Sequence, residues 1–155
     1  MASTPVPEPK PGLVVRYDYL WTHEAARGQD QGKTRPACLI AASDSSVRPQ
    51  YVVLLPITHT PPSGATTGIE IPAKVKQAIG LDDAPSWVIV SEHNIDEWPN
   101  GGLSRVSDKS GAFSYGFIPP ALFQRIKAAF ILLAKERKTE AVHRGPCNWV
   151  DHLCS

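Results

Sequence analysis

The chain has few cysteines, and their number is odd: three among 155 residues. Cys38 lies inside an apolar run, whereas Cys147 and Cys154 lie near the C-terminus. An odd and scattered set does not suggest a disulfide framework of the kind that stabilises small secreted domains. The pattern agrees with a reducing compartment, and we expect a cytoplasmic protein.

Long apolar segments are also missing. No apolar stretch approaches the roughly 18 residues that a membrane helix needs, and Met1 to Lys10 lacks the apolar centre of a signal peptide. No internal repeat is visible at the periods of about 20 to 50 residues that characterise solenoids. These absences argue against a helical membrane protein and a repeat array, and we expect no membrane partner.

The chain lacks an excess of charge of either sign. Its 16 Lys and Arg residues are balanced by 15 acidic residues, for a formal net charge of +1. A chain with this balance has no overall field that attracts nucleic acid, so RNA binding would require a local basic cleft. The apolar content of 42% is typical of globular proteins, and the length suits one domain.

Proline, by contrast, is abundant at 15 residues, and it separates short apolar runs. Residues 1–10 alternate Pro with small and charged residues, which predicts a flexible N-terminal arm. Residues 11–138 contain the periodic apolar segments and predict the folded domain. Residues 139–155 show no clear period, and no regular element is predicted in this C-terminal tail.

Segments rich in β-branched and aromatic residues predict five strands, at residues 12–20, 36–42, 51–57, 68–71 and 86–90. Residues 74–79 can form about two helical turns before Gly80. After Pro119 and Pro120, apolar residues recur at spacings of three and four, which predicts an amphipathic helix. The polar segment 21–35 predicts a long functional loop.

Two predicted strand ends carry side chains suited to binding a phosphate. Arg35 precedes Pro36 at the start of one apolar strand, and Thr58 follows Ile57 at the end of the next. If these strands are antiparallel neighbours, the guanidinium and the hydroxyl lie close together. Such donors could hold a phosphodiester and stabilise the charge of its transition state. The alternative is a surface cation beside an ordinary turn residue.

Several runs resemble the PemK/MazF family of toxin–antitoxin endoribonucleases. They are GLVV at 12–15, QGKTRPACLI at 31–40, VVLLPIT at 52–58 and the apolar strand that opens at Ser86. The resemblance extends from Pro11 to Val90, and the later helix also fits. It implies a mainly β fold with α, namely a small SH3-like barrel closed by a C-terminal amphipathic helix.

The same resemblance implies an activity and partners. Members of the family cut single-stranded RNA such as mRNA at short sequences, without a metal or other cofactor; they act as homodimers, and a cognate antitoxin protein is a partner. The 2′-hydroxyl attacks the neighbouring phosphate and leaves a cyclic phosphate and a 5′-hydroxyl, which needs a base, an acid and a charge clamp. By resemblance, Arg35 is the clamp and Thr58 donates to the phosphate.

The proton carrier stays open. Family members often have an acidic residue five positions before the Arg, which is Asp30 here, and some use a His in the same loop, for which His23 is nearest. Residues 92–99 lack the Arg or Asp catalytic group of well-known members and resemble a divergent PemK-like branch. Elimination favours His93 or His23 as the proton carrier, with Asp30 next. The alternative is that His93 is a structural loop residue.

Further side chains are predicted to contact RNA. They are Lys33, His59, Trp21, Glu92 and Asn94. An amide can read base edges, and tryptophans stack on unpaired bases in proteins that bind single strands. Trp87, inside an apolar strand, is more typical of a core.

No metal site is predicted, because the candidate ligands have an unfamiliar spacing. They are His143, Cys147, His152 and Cys154. Two other functions stay open: a non-catalytic SH3-like module that binds protein or nucleic acid, and an inactivated toxin. The pair of Arg35 and Thr58 favours an enzyme, because a pure binder has no need of it.

Overall fold

The computed structural model of the chain describes residues 6–106 and 112–145. These residues form a mainly antiparallel sheet with three helices. The strands are β1 (Leu13–Tyr19), β2 (Lys33–Ala42), β3 (Gln50–Thr58), β4 (Gly68–Glu70), β5 (Trp87–Ile89), β6 (Glu92–Trp98), β7 (Leu103–Ser104), β8 (Ser114–Phe117) and β9 (Glu140–His143). The helices are α1 (Thr22–Ala26), α2 (Ala73–Ala78) and α3 (Pro120–Lys135).

The prediction of a mainly β fold with a C-terminal helix is confirmed, and the segments predicted as strands and helices form β1 to β5, α2 and α3. Residues 21–35 were predicted to form a loop, and this is wrong for Thr22–Ala26, which form helix α1. The expectation that His93 lies in a loop is wrong, because residues 92–98 form β6. Strand β6 buries His93, Asn94 and Asp96, and polar residues at buried positions hide the alternation that indicates a strand.

Strand β3 lies inside the sheet, with partners along both edges. On one edge it pairs with β2; on the other, residues 50–54 pair with β6 and residues 57–58 with β5. Beyond β2, strand β1 pairs on its far edge with β7 and β8, and β9 runs parallel to β6. Within the described residues these pairings form an open path, unlike the closed barrel that the resemblance implies.

The faces of β1, β2 and β3 are buried in two apolar cores. Val14, Cys38 and Leu55 belong to a core that α3 covers, here called the α3 core. Val15, on the opposite face of β1, belongs to a second core that contains Trp98, here called the Trp98 core. Burial on both faces explains why these strands read as nearly continuous apolar runs rather than as alternating ones.

Helix α3 begins directly after Pro119, with Pro120 in its first turn, where the missing N–H of proline costs nothing. Leu122, Phe123 and Ile126 form its buried face in the α3 core. The apolar residues that recur at the predicted spacings are therefore the ones that pack in the α3 core. None of the helices in the described ranges is long and apolar enough to cross a membrane.

Residues assigned to the arm and the tail contact the sheet. The indole N–H of Trp98 donates to the Pro7 carbonyl at 2.9 Å, and Val6 packs against the Trp98 core. Strand β9 pairs with β6, and the Arg144 guanidinium that follows it donates to the Tyr17 hydroxyl at 3.1 Å. The expectation of no regular element after residue 138 is wrong for β9, whose four residues are too few to show a period.

Substitution of Ile126 by Ala tests the docking of α3. Ile126 is fully buried, and loss of its methyl groups costs about 2–5 kcal/mol of unfolding free energy because the cavity closes only in part. Leu132→Ala on the same helix is the matched control: Leu132 is 57% exposed, so we expect a change within about 0.5 kcal/mol. Urea unfolding followed by circular dichroism measures both, and equal losses would contradict this placement of α3.

Candidate active site

Arg35 and Thr58 line one cleft of about 210 Å³. The register of β2 and β3 explains this, because Ala37 pairs with Pro56, and Arg35 and Thr58 each lie two residues further towards the same end of the ladder. His59 also lines this hollow, which we call the Arg35 cleft. The structure thus brings together the two residues that the sequence suggests as phosphate ligands.

The Arg35 side chain is half-buried and lies over an aromatic ring. Its guanidinium carbon is 5.2 Å from the centroid of the Trp21 indole, which is a cation–π distance. Its Nε atom is buried and has no hydrogen-bond partner among the described residues, although buried donors ordinarily have one. Arg35 is therefore not a plain surface cation, and it keeps an unused donor beside the cleft.

Thr58 is the last residue of β3. Its hydroxyl oxygen accepts a hydrogen bond from the Thr60 N–H at 3.1 Å, which leaves the hydroxyl hydrogen to donate to a ligand. Thr58 also lines a second hollow, of about 260 Å³, with Trp21, His23 and Glu92; we call it the Glu92 groove. Because Thr58 lines both, the two hollows adjoin at its side chain.

Glu92 is held at the first position of β6 by three donors. Its Oε1 accepts from the Tyr19 hydroxyl at 3.2 Å and the Thr22 N–H at 3.0 Å, and its Oε2 accepts from the Thr22 hydroxyl at 3.2 Å. Burial raises the pKa of this carboxyl, and these hydrogen bonds and the nearby His23 offset only part of the rise. A fixed carboxylate of raised basicity is suited to accept a proton.

Nothing in the sequence marks Glu92 as a proton carrier. It was predicted as an RNA contact, and a glutamate is ordinarily solvated. Its hydrogen-bond partners Tyr19 and Thr22 lie 73 and 70 residues earlier in the chain. Only tertiary structure joins these segments and changes the basicity of the carboxylate.

Trp21 and His23 present aromatic rings to the Glu92 groove. The ring planes are 21° apart and the centroids are 6.3 Å apart. Helix α1 holds them, since the Trp21 N–H at its start donates to Glu24 Oε1 at 3.0 Å. Unpaired bases stack on such rings, which suits the predicted contact of Trp21 with RNA. Trp87 is half-buried in β5, where it pairs with Thr58.

His93 and Asn94 are buried in β6 rather than exposed in a loop. His93 Nδ1 is 3.0 Å from the Thr139 hydroxyl, and burial lowers the pKa of this imidazole to about 4. The Asn94 amide donates to the Leu20 carbonyl at 2.7 Å and accepts from the Leu20 N–H at 3.0 Å. This burial and these partners do not fit the predicted approach of either residue to RNA.

Asp30 and Lys33 are exposed. Asp30 lines a separate polar hollow of about 390 Å³ with Asp18 and Arg144, and its carbonyl accepts from Arg144 Nη2 at 3.1 Å. The structure therefore does not bring Asp30 into the Arg35 cleft. Lys33 begins β2, two residues before Arg35 and on the same face of that strand.

Metal binding finds no support in the described part of the chain. Within residues 6–106 and 112–145, no group of three or more His, Cys, Asp and Glu side chains is placed to hold a metal ion. His143 ends β9. The other residues considered as zinc ligands, Cys147, His152 and Cys154, lie outside the described residues.

No protein-family model matches the chain, and no curated protein matches it significantly. A functional assignment therefore depends on the chemistry of the residues around Thr58.

Glu92→Gln tests the burial of this carboxyl through stability. Its pKa is raised in the folded state, so the ionised carboxylate opposes folding at neutral pH, and this penalty disappears as the pH falls below the ordinary carboxyl range. We expect the variant to have the higher Tm at about pH 7 and the difference to shrink towards about pH 4. Glu70→Gln, at an exposed position of β4, is the matched control. A Tm difference between Glu92→Gln and the unaltered protein that stays the same from about pH 7 to about pH 4 would contradict the raised pKa.

Proposed function

We propose that the chain is the toxin component of a toxin–antitoxin system, a metal-independent endoribonuclease of the PemK/MazF type that cuts single-stranded RNA in the cytoplasm. One observation carries the proposal: Arg35, Thr58 and Glu92, from three different strands, surround two hollows that adjoin at the Thr58 side chain. A cation, a hydroxyl donor and a basic carboxylate are groups that 2′-hydroxyl attack on a phosphodiester uses.

The scissile phosphate binds where the two hollows adjoin. Arg35 lines the cleft and offers guanidinium donors to the non-bridging oxygens. The Thr58 hydroxyl supplies a second, short donor. Both residues belong to strands, so they are in place before the reaction, and a preorganised donor of this kind contributes about 10²–10³ in rate.

Glu92 takes the proton of the 2′-hydroxyl. The 2′ oxygen attacks phosphorus, the O2′–P bond forms, and the P–O5′ bond breaks with its electron pair going to the 5′ oxygen. That oxygen takes up a proton, so the products are a 2′,3′-cyclic phosphate and a 5′-hydroxyl. We assign the base to Glu92 rather than to His93, because Glu92 lines the groove that contains Thr58 whereas His93 is buried elsewhere.

The aromatic residues favour a single-stranded substrate. Trp21 and His23 lie along the Glu92 groove, where they can stack on bases only if those bases are unpaired. DNA can bind to the same surface but lacks the 2′-hydroxyl, so it is not cut.

The proposal includes the fold and the partners that the resemblance implies. The fold that we propose is a small SH3-like barrel, and the antiparallel strands and the C-terminal helix α3 support it. A homodimer and a cognate antitoxin that covers the Arg35 cleft complete the proposed system.

Arg35→Ala is expected to lower RNA cleavage by about 10²-fold or more, because the transition state loses its charge clamp. Arg35→Lys should restore little, since an ammonium lacks the planar fork. The assay is cleavage of a long single-stranded RNA in EDTA with mapping of the new ends. Arg16→Ala, which replaces an exposed arginine on neighbouring β1, is the matched control.

Full activity of Arg35→Ala with an unchanged circular dichroism spectrum would refute the site. RNA binding without cleavage by the unaltered protein would favour a non-catalytic module or an inactivated toxin.

The proposed homodimer is tested by sedimentation at micromolar concentration. We expect twice the chain mass, because closed two-fold association is the commonest form of homo-oligomer and is implied by the resemblance. A monomer that persists at high concentration would contradict the proposed assembly.

A further inference from the structure

The cleavage chemistry proposed above needs an acid as well as a base. The 5′ oxygen leaves with an electron pair and must receive a proton, and the base and acid of an in-line displacement lie on opposite sides of the phosphorus. Glu92 lines one of the two hollows that share Thr58. The other hollow, the Arg35 cleft, is lined by His59 and Asp82, and neither has a role in the steps already assigned.

His59 and Asp82 form a hydrogen-bonded pair at the edge of this cleft. His59 Nε2 lies 3.0 Å from Asp82 Oδ1 and 2.8 Å from Oδ2. A carboxylate on one ring nitrogen fixes the tautomer and orientation of an imidazole and leaves the other nitrogen for chemistry. Here the nitrogen left for chemistry is Nδ1.

Asp82 is itself held in place by a buried lysine. The Lys76 side chain is only 5% exposed, and its Nζ donates to Asp82 Oδ1 at 2.9 Å and also to the Ala84 carbonyl. The hydrogen bond from Lys76 keeps the pKa of Asp82 below its usual range, so the carboxylate is ionised. Burying an ammonium is costly unless it is paired. The buried Lys76 is paired with Asp82, and Asp82 in turn is the partner of the exposed His59.

We infer that His59 is the general acid of the proposed cleavage, with Asp82 and Lys76 as positioning residues. This inference rests on the proposed ribonuclease function. Of the groups that line the Arg35 cleft, a guanidinium does not give up its proton in proteins, and the Asp82 carboxylate is ionised because its pKa is lowered. Imidazole is the remaining group, and it is the side chain that exchanges protons near neutral pH.

The step balances. The imidazolium of His59 keeps its Nε2 proton on Asp82 and transfers its Nδ1 proton to the 5′ oxygen as the P–O5′ bond breaks. His59 becomes neutral, Glu92 has gained the proton of the 2′-hydroxyl, and exchange with water restores both groups. The bond electrons that leave phosphorus are replaced by those of the new O2′–P bond, so no further reactant is needed.

The test compares RNA with an analogue whose scissile 5′ oxygen is replaced by sulfur, which leaves as a thiolate without protonation. We expect His59→Ala to cut the oxygen substrate about 10²-fold or more slowly and to cut the sulfur substrate at nearly the rate of the unaltered protein. Asp82→Asn should slow cleavage of the oxygen substrate less than His59→Ala does, and it too should cut the sulfur substrate at nearly the rate of the unaltered protein. Glu92→Gln is the control and should lose activity on both substrates, because its role precedes bond breaking.

The outcomes separate the inference from the proposed function. If the unaltered protein cuts RNA but His59→Ala cuts it equally well, or is slowed equally on both substrates, His59 is not the acid and the ribonuclease assignment survives. An equal loss on both would mean that His59 only binds RNA. If the unaltered protein cuts neither substrate, the proposed function and this inference are both overturned.

Discussion

Strand β3 is hydrogen-bonded to β2 along one edge and to β6 and β5 along the other. The antiparallel ladders bring the start of β2, the end of β3 and the start of β6 to the same end of the sheet. Arg35, Thr58 and Glu92 lie at those positions. Because backbone ladders rather than loops hold the three side chains, the geometry of the site is as rigid as the sheet, and a slip of one residue in either ladder would turn a side chain to the opposite face.

Buried polar contacts at the corner between β1 and α1 support this arrangement. The Asn94 side chain satisfies both backbone groups of Leu20, and Arg144 Nη1 donates to Asn94 Oδ1 at 3.2 Å and to the Asp18 carbonyl at 2.5 Å. These contacts direct the chain into α1, and thereby place Trp21 over Arg35. The buried Asn94 of β6 therefore has structural partners in this corner, since buried polar groups need partners.

The pKa values of the titratable side chains depend on differences in their environment. Glu92 is partly buried, which raises its basicity, whereas Asp82 stays ionised because buried Lys76 donates to it. His93 is held neutral in the interior by the same burial that makes Glu92 basic. Burial thus has opposite consequences for an acid and a base, and it decides which of several titratable residues can act.

The apolar runs of β1, β2 and β3 and the spaced apolar face of α3 were predictable, because burial demands apolar side chains in those periods. The proximity of Arg35 and Thr58 was likewise predictable, since both lie near the ends of strands that are recognisable in the sequence. The sequence alone could not indicate β6, whose buried residues include His93, Asn94 and Asp96. Nor could it show Glu92 beside Thr22 or His59 beside Asp82, because these partners are far apart in the chain. Local patterns determine which segments are buried, whereas long-range contacts determine solvation and neighbouring charge, and these decide what a titratable side chain does.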